Sequence, residues 1–328
     1  MTVLVTGGAG YIGSHMVYEL LDAGEDVVVL DNLTTGFRWA VPERVSFYEG
    51  DTGDEALACS IIARHGVDAI IHFAASIVVP DSVADPLAYY RNNTANSRTL
   101  IEGAVKSGVK YFIFSSTAAV YGNPQSVPVS EDAAPDPMSP YGSSKLMTEI
   151  ILRDTGFAYP LKYAVLRYFN VAGADPQMRT GQSTPAATHL IKVAVQTALG
   201  MRKKMDVFGT DYPTPDGTCV RDYIHVSDLV RAHSDALRYL RAGGDSATFN
   251  CGYGRGFSVL DVIETVKCVS GVDFRVELSE RRPGDPAQIV AASDRARDIL
   301  HWAPRYDDLT TIVGNALEWE QRLRARNT

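Results

Sequence analysis

A chain of 328 residues, 45% hydrophobic and 21% charged, has the make-up of a globular protein large enough for two lobes. Its net charge of -8 argues against a nucleic-acid or anionic-membrane surface, so an anionic ligand must be held by local arginines and backbone amides. Cys59, Cys219, Cys251 and Cys268 show no CxxC spacing and no apolar run nears the ~20 residues of a membrane span, so reduced thiols, no metal site and a cytoplasmic protein are expected.

The first predicted element is a strand through Val3, Leu4 and Val5 that breaks into glycines and then into an amphipathic helix through Leu20 and Leu21. The glycines are spaced GxxGxxG. Gly7 allows the turn, Gly10 lets backbone N–H groups approach a pyrophosphate at the helix N-terminus, and Gly13 lets helix and strand pack closely. A second strand, Asp26 to Leu30, ends in Asp31. An acid at that distance accepts hydrogen bonds from the adenosine ribose 2′-OH and repels a 2′-phosphate, which favours NAD over NADP.

The alternation continues with strands at Ala69–Phe73, Tyr111–Ser116 and Tyr163–Tyr168 and helices at Asn96–Lys106 and Tyr141–Leu152. This rhythm predicts an α/β protein with a Rossmann-like, doubly wound parallel sheet. Beyond about Ala174 the pattern loosens into turns rich in Pro, Gly and Thr, including Gly209–Gly217 and Arg281–Pro286. Such insertions build a smaller C-terminal substrate-binding lobe over the carboxyl ends of the strands.

Tyr141 and Lys145 lie one turn apart on one face of their helix. An ammonium group close to a phenol favours the phenolate and makes tyrosine usable as an acid/base near neutrality. Taken alone, this spacing also describes ordinary surface neighbours.

Together, GxxGxxG, Asp31-Asn32, the segment Ser115-Ser116-Thr117-Ala118-Ala119-Val120-Tyr121-Gly122 and the Tyr141/Lys145 pair resemble the extended short-chain dehydrogenase/reductases. Within that superfamily the chain is most similar to the UDP-glucose 4-epimerases, also called UDP-galactose 4-epimerases. The likeness spans nearly the whole length, and Gly209–Thr218 and Val220–Val226 (VRDYIHV) are its most specific parts. It implies a nucleotide domain over 1–174, to which about 219–242 return, and a mainly UDP-sugar-binding domain over 175–328.

The resemblance also assigns residues. It places NAD against Gly7, Gly10, Tyr11, Ile12, Gly13, Asp31, Asn32, Asp51, Thr52, Phe73, Ala74, Ala75, Asn92, Ser115, Tyr141, Lys145 and Tyr168. Asp51 is the carboxylate for the adenine amino group, although an Asp after a strand is also a common helix cap. Ile77 stands where the family usually has a lysine, which removes one expected cofactor contact. The substrate is implied to meet Thr117, Tyr141, Phe169, Asn170, His189, Leu190, Phe208, Arg221, Arg282, Asp285 and Ile289. Arg221 and Arg282 would grip the phosphates and Asp285 the uridine ribose. His189 reads either as a diphosphate ligand or as a loop histidine, and Phe208 either packs on uracil or fills a core. Ile289 occupies the position of the family's gate beside the hexose C2 substituent.

The implied chemistry is reversible epimerisation at C4 of a UDP-hexose through a 4-keto sugar, with Tyr141 as acid/base, Lys145 and Thr117 supporting it, and a hydride lent to tightly bound NAD. Related dehydratases carry an Asp-Glu pair, and decarboxylases a Glu, after the Ser/Thr hydroxyl. Here Ala118 and Ala119 stand there, so elimination lacks its proton carrier. Action on another UDP-sugar (an N-acetylhexosamine, a pentose or a glucuronate) and a non-catalytic NAD-sensing role are the alternatives. A homodimer is the expected assembly, through a helix pair that includes Asn96–Lys106.

Overall fold

The computed structural model describes residues 1–185, 187–282 and 285–327. Pro283 and Gly284, within the Arg281–Pro286 turn singled out above, lie outside the described residues. The N-terminal half runs β1 (Thr2–Thr6), α1 (Tyr11–Asp22), β2 (Asp26–Asp31), β3 (Ser46–Glu49), α2 (Glu55–His65), β4 (Val67–His72), short helices α3 (Val79–Ala84) and α4 (Pro86–Tyr89), α5 (Asn96–Lys106), β5 (Tyr111–Thr117), α6 (Pro140–Ala158) and β6 (Lys162–Tyr168). There follow β7 (Asn170–Ala172), α7 (Leu190–Ala198), β8 (Met205–Phe208), β9 (Val220–His225), α8 (Val226–Arg241), β10 (Ala247–Cys251), β11 (Gly256–Ser258), α9 (Val259–Ser270), β12 (Val276–Ser279), β13 (Gln288–Ile289), α10 (Asp294–Leu300) and α11 (Leu309–Asn327).

Seven of these strands form one parallel sheet in the order β10-β6-β5-β4-β1-β2-β3. Its strands are apolar on both faces because helices cover both. Val3, Val5, Val29, Ile71 and Ile113 meet Met16 and Leu20 of α1 and Leu237 and Leu240 of α8 on one side. Leu4, Leu30, Ile70, Phe112 and Phe114 meet Ile61, Leu100 and Leu152 on the other. Each such side chain, fully buried, contributes roughly 1.5–3 kcal/mol. Strand order reverses between β1 and β4, which opens the ligand crevice at their carboxyl ends.

Among the described residues the smaller lobe has two little sheets. In one, β9 pairs with β7, β11 and β13, and in the other β8 pairs with β12. The segment returning to the large sheet is α8 followed by β10, so it runs on past residue 242 to Cys251, while Val220–His225 pairs outside that sheet. Five residues of β10 are too short a run to stand out beside the turn that precedes them.

The glycine turn is close-packed. Gly7 has φ +70°, and a Cβ there would come within 2.6 Å of the Ala74 nitrogen. A Cβ on Gly13 would lie 2.0 Å from the Gly7 carbonyl oxygen. Gly314, within α11, has open space where its Cβ would be. Gly13→Ala should therefore destabilise the protein by about 1–3 kcal/mol through overpacking. Gly314→Ala should stabilise it by about 0.5–1 kcal/mol through helix propensity. Urea denaturation of the two variants checks the opposite signs.

Candidate active site

Helix α6 positions Tyr141 and Lys145. Ser139 caps it by accepting the Gly142 N–H at 3.2 Å, and Pro140 takes the first helical position, where its missing N–H costs nothing. Tyr141 and Lys145 then fall one turn apart on the face turned into the sheet, 7% and 2% exposed. The Lys145 ammonium lies 4.5 Å from the centre of the Phe114 ring. The tip of β5 comes up beside them with Ser115 and Thr117, both buried. Ser115 Oγ is buried beside the Tyr168 phenol without a hydrogen bond of good geometry.

Burial dominates the titration of this pair. It pushes the Tyr141 phenol up, with the Tyr168 side chain adding to the effect, while the Thr117 hydroxyl favours the phenolate. It pushes Lys145 down to about 7, and the Glu149 carboxylate opposes that fall. Spacing alone predicts that Lys145 lowers the tyrosine. In the folded protein the phenol is raised instead, because burial disfavours its charged form. Nearby His72 is held neutral by burial and by Lys145, its pKa down to about 3. Its ring nitrogens lie 2.6 Å from Thr6 Oγ1 and 2.8 Å from Ser97 Oγ.

Sequence reasoning missed Glu149 and Arg167. They form a buried bidentate pair, with Arg167 Nη2 donating to Glu149 Oε2 at 2.6 Å, and Ser116 Oγ donates to the same carboxylate. The signal was there: Glu149 is one turn beyond Lys145, on the same face. An acid in a helix, however, ordinarily reads as solvated surface.

The residues assigned to the dinucleotide gather at the switch point. Asp31 is buried and accepts N–H bonds from Ala9 at 2.9 Å and Leu33 at 2.8 Å. Asp51 accepts from Gly53 N–H at 2.7 Å and Asn96 Nδ2 at 2.8 Å, and Asn32 reaches its second oxygen at 3.3 Å. Thr52 is buried beside it. Phe73 packs on His233, with ring centroids 4.9 Å apart, and Ala74 meets the glycine turn. Asn92 donates to Ser76 Oγ at 2.9 Å, and Ile77 is 49% exposed. Tyr11 and Ile12 open α1, the Tyr11 hydroxyl donating to Gly173 O at 2.7 Å. These residues fit a dinucleotide: the glycine cradle has no room for side chains, α1 aims its N-terminus at the crevice, and the buried Ser115 hydroxyl has bonding capacity to spare.

The residues assigned to substrate fall in two groups. Phe169 and Ile289 share a buried apolar cluster with Ala118, Val120 and Tyr121, next to Thr117. On the smaller lobe the Arg282 guanidinium lies 3.7 Å from the centre of the Phe208 ring, and Arg221 Nη2 is 4.0 Å from Asp285 Oδ1. Asn170 opens β7, which pairs with β9 at Tyr223. His189 is an exposed N-cap of α7, just before Leu190, and its Nδ1 lies 3.5 Å from Gln182 Nε2. Among the described residues no cluster fit to hold a metal ion occurs, and no helix is long and apolar enough to cross a membrane.

A family model for the NAD dependent epimerase/dehydratase family matches residues 3–252. The chain belongs to this family. It is 58% identical to a UDP-glucose 4-epimerase of Azospirillum brasilense over 98% of this chain and 92% of that protein. The crystal structure of a UDP-glucose 4-epimerase from Brucella ovis in complex with NAD superposes with a TM-score of 0.94 at 42% identity, covering 97% of each chain. The UDP-Glc/GlcNAc 4-epimerase of Campylobacter jejuni superposes with a TM-score of 0.86 at 49% identity, covering 98% of this chain and 99% of that one.

The depressed Lys145 gives a stability prediction. Its folded pKa, about 7, lies below its ordinary 10.5, so between those values the unfolded chain holds the extra proton and stability rises with pH on account of this group. Lys145→Met removes the buried ammonium. The variant should exceed the wild type in stability at pH 7 and below, and the margin should shrink as pH climbs toward 10.5. Urea denaturation across that range checks it; a margin that grows with pH contradicts it.

Proposed function

We propose that this chain interconverts UDP-glucose and UDP-galactose by epimerisation at C4, with Tyr141 as the acid/base. The observation that carries this reading is the buried group of Tyr141, Lys145 and Thr117 at the tip of β5, followed by a turn, Ala118–Tyr121, that offers Ala118 and Ala119 where an eliminating enzyme needs a carboxyl.

When bound, NAD supplies a hydride acceptor that later acts as donor, together with a positive ring that favours the phenolate. Tyr141 takes the proton of the sugar 4-OH and returns it. Thr117 bonds the same oxygen and restricts it to the line of the phenol. Lys145 keeps positive charge on the far side of the tyrosine, and Glu149 helps it stay protonated. Arg221 and Arg282 take the diphosphate, with Asn170, His189 and Leu190 alongside, while Asp285 takes the uridine ribose and Phe208 the base. The Arg282 guanidinium lies over the Phe208 ring, which puts the two side chains assigned to phosphate and base next to each other. Firm hold on UDP and few contacts to the hexose let a 4-keto sugar present its other face, so the returned hydride inverts C4.

A homodimer through a helix pair that includes α5 is the assembly proposed, and exposed Met147 (43%) and Ile150 (39%) on α6 support α6 as the second helix of that pair. The outer side of α5, the helix expected in that pair, carries the ion pairs Arg98–Glu102 and Lys106–Glu102. The four free cysteines suit a reducing cytoplasm.

Conversion of UDP-galactose to UDP-glucose without added or consumed NAD tests the reading; stoichiometric consumption of NAD would mark a net dehydrogenase. Tyr141→Phe should lower kcat about 100- to 10,000-fold while UDP-sugar binding persists. Retention of a tenth of the activity would remove Tyr141 from this role.

Ile289 is buried beside Phe169 and Ala118, which puts its bulk next to the β5 tip. UDP-galactose should therefore react better than UDP-N-acetylgalactosamine, and Ile289→Ser should shift the kcat/KM ratio toward the acetylated sugar by about tenfold or more. An unchanged ratio in a folded variant would place the gate elsewhere.

A further inference from the structure

Two segments meet over the N-terminal turn of α1. The loop after Asp31 lays Gly36 on Ala9, where a Cβ would come within 2.8 Å of the Ala9 carbonyl carbon, and the Phe37 N–H donates to Ala9 O at 2.9 Å. From the smaller lobe, residues 181–184 approach the same turn, anchored where Ser14 Oγ meets Thr180 Oγ1 at 2.7 Å. Between them runs a narrow cleft lined by Gly10, Ser14, Phe37, Gly181 and Thr184.

The outer side of this cleft is closed by rings from both lobes. Trp39 lies 5.3 Å from Phe37 and stacks on Trp319 of α11 at 6.3 Å, the planes 27° apart. The Arg326 guanidinium covers Trp39 at 4.0 Å. Trp319 is buried against Gly181, where a Cβ would stand 2.4 Å from its ring. The last helix of the smaller lobe thus grips the loop that follows the ribose-binding Asp31.

We propose that the Trp39–Trp319 stack, capped by Arg326, is a clasp that holds the 33–40 loop and residues 181–184 closed over the pyrophosphate of the bound dinucleotide, and so sets how slowly NAD leaves. The inference rests on the NAD-binding reading above. It accounts for retention in a chain whose position 77 carries an exposed isoleucine where the family resemblance expects a lysine. Opening the clasp requires unstacking a tryptophan pair and a guanidinium, which couples cofactor release to separation of the two lobes at this edge.

The test measures nucleotide rather than turnover. Full-length protein is loaded with NAD and desalted, and the NAD remaining on it is quantified over time. Trp39→Ala should release NAD about five- to tenfold faster than wild type, as expected for loss of one aromatic contact. Trp39→Phe, which keeps a ring in the stack, should stay within about twofold. Arg326→Gln, an exposed change with little bearing on folding, should speed release about two- to fivefold. Turnover lost by Trp39→Ala on dilution should return with excess NAD. Release at the wild-type rate from both Trp39→Ala and Arg326→Gln overturns the clasp alone, whereas a wild-type protein that neither carries nor binds NAD overturns the clasp and the NAD reading together.

Discussion

The arrangement around Tyr141 depends on one buried ion pair. Glu149 and Arg167, each 7% exposed, join the middle of α6 to β6, and the Glu149 carboxylate also accepts the Ser116 hydroxyl from β5. Arg167 extends the link to the Tyr121 hydroxyl at 3.0 Å, which in turn donates to Asn250 Oδ1 of β10 at 2.7 Å. Ser116 sits between Ser115 and Thr117, Arg167 precedes Tyr168, and Glu149 follows Lys145 by one turn. A single satisfied carboxylate therefore fixes the relative heights of three segments that supply the site. Burying such a pair is not obviously stabilising, since desolvation offsets most of the attraction. Its value here lies in register: unsatisfied, either partner would be an uncompensated charge in the core.

From Asn250 the network passes into the smaller lobe, where Nδ2 donates to Val129 O at 2.9 Å and Ala292 O at 3.3 Å, just beyond Ile289. Two fully buried aspartates continue it. Asp222 accepts the N–H groups of Tyr253, Gly254 and Ala291, tying β9 to the loops around the apolar cluster. Asp228 accepts those of Arg305 and Tyr306 and the Tyr253 hydroxyl, which pins the approach to α11 onto α8. The lobes are thus joined by carboxylates that accept backbone N–H groups, and such bonds fix loops in a way that apolar contact does not.

The buried phenol and ammonium beside this network show the opposite economy. Tyr141 and Lys145 are held where burial disfavours the charged form of each. The cost of keeping Lys145 charged in the core is offset in part by Glu149, so the residue that sets register also sets charge.

The sequence by itself determined the large sheet, because parallel strands buried on both faces are runs of Val, Leu and Ile, and the glycine spacing and Asp31 are local features of one turn. It also determined that Tyr141 and Lys145 share a face, since helix periodicity is local. Strand ends moved by at most two residues, but α6 ran on to Ala158: no stop signal follows Leu152, and the last turns continue as a largely exposed extension of the helix. Only the tertiary structure decided that β10 joins the sheet, that Glu149 is a buried ion-pair partner and that Trp39 meets Trp319. It also decided that burial raises the Tyr141 phenol. Each of these depends on which distant segment covers a residue and excludes water from it, and burial of that kind is a property of the assembled layers that no local spacing encodes.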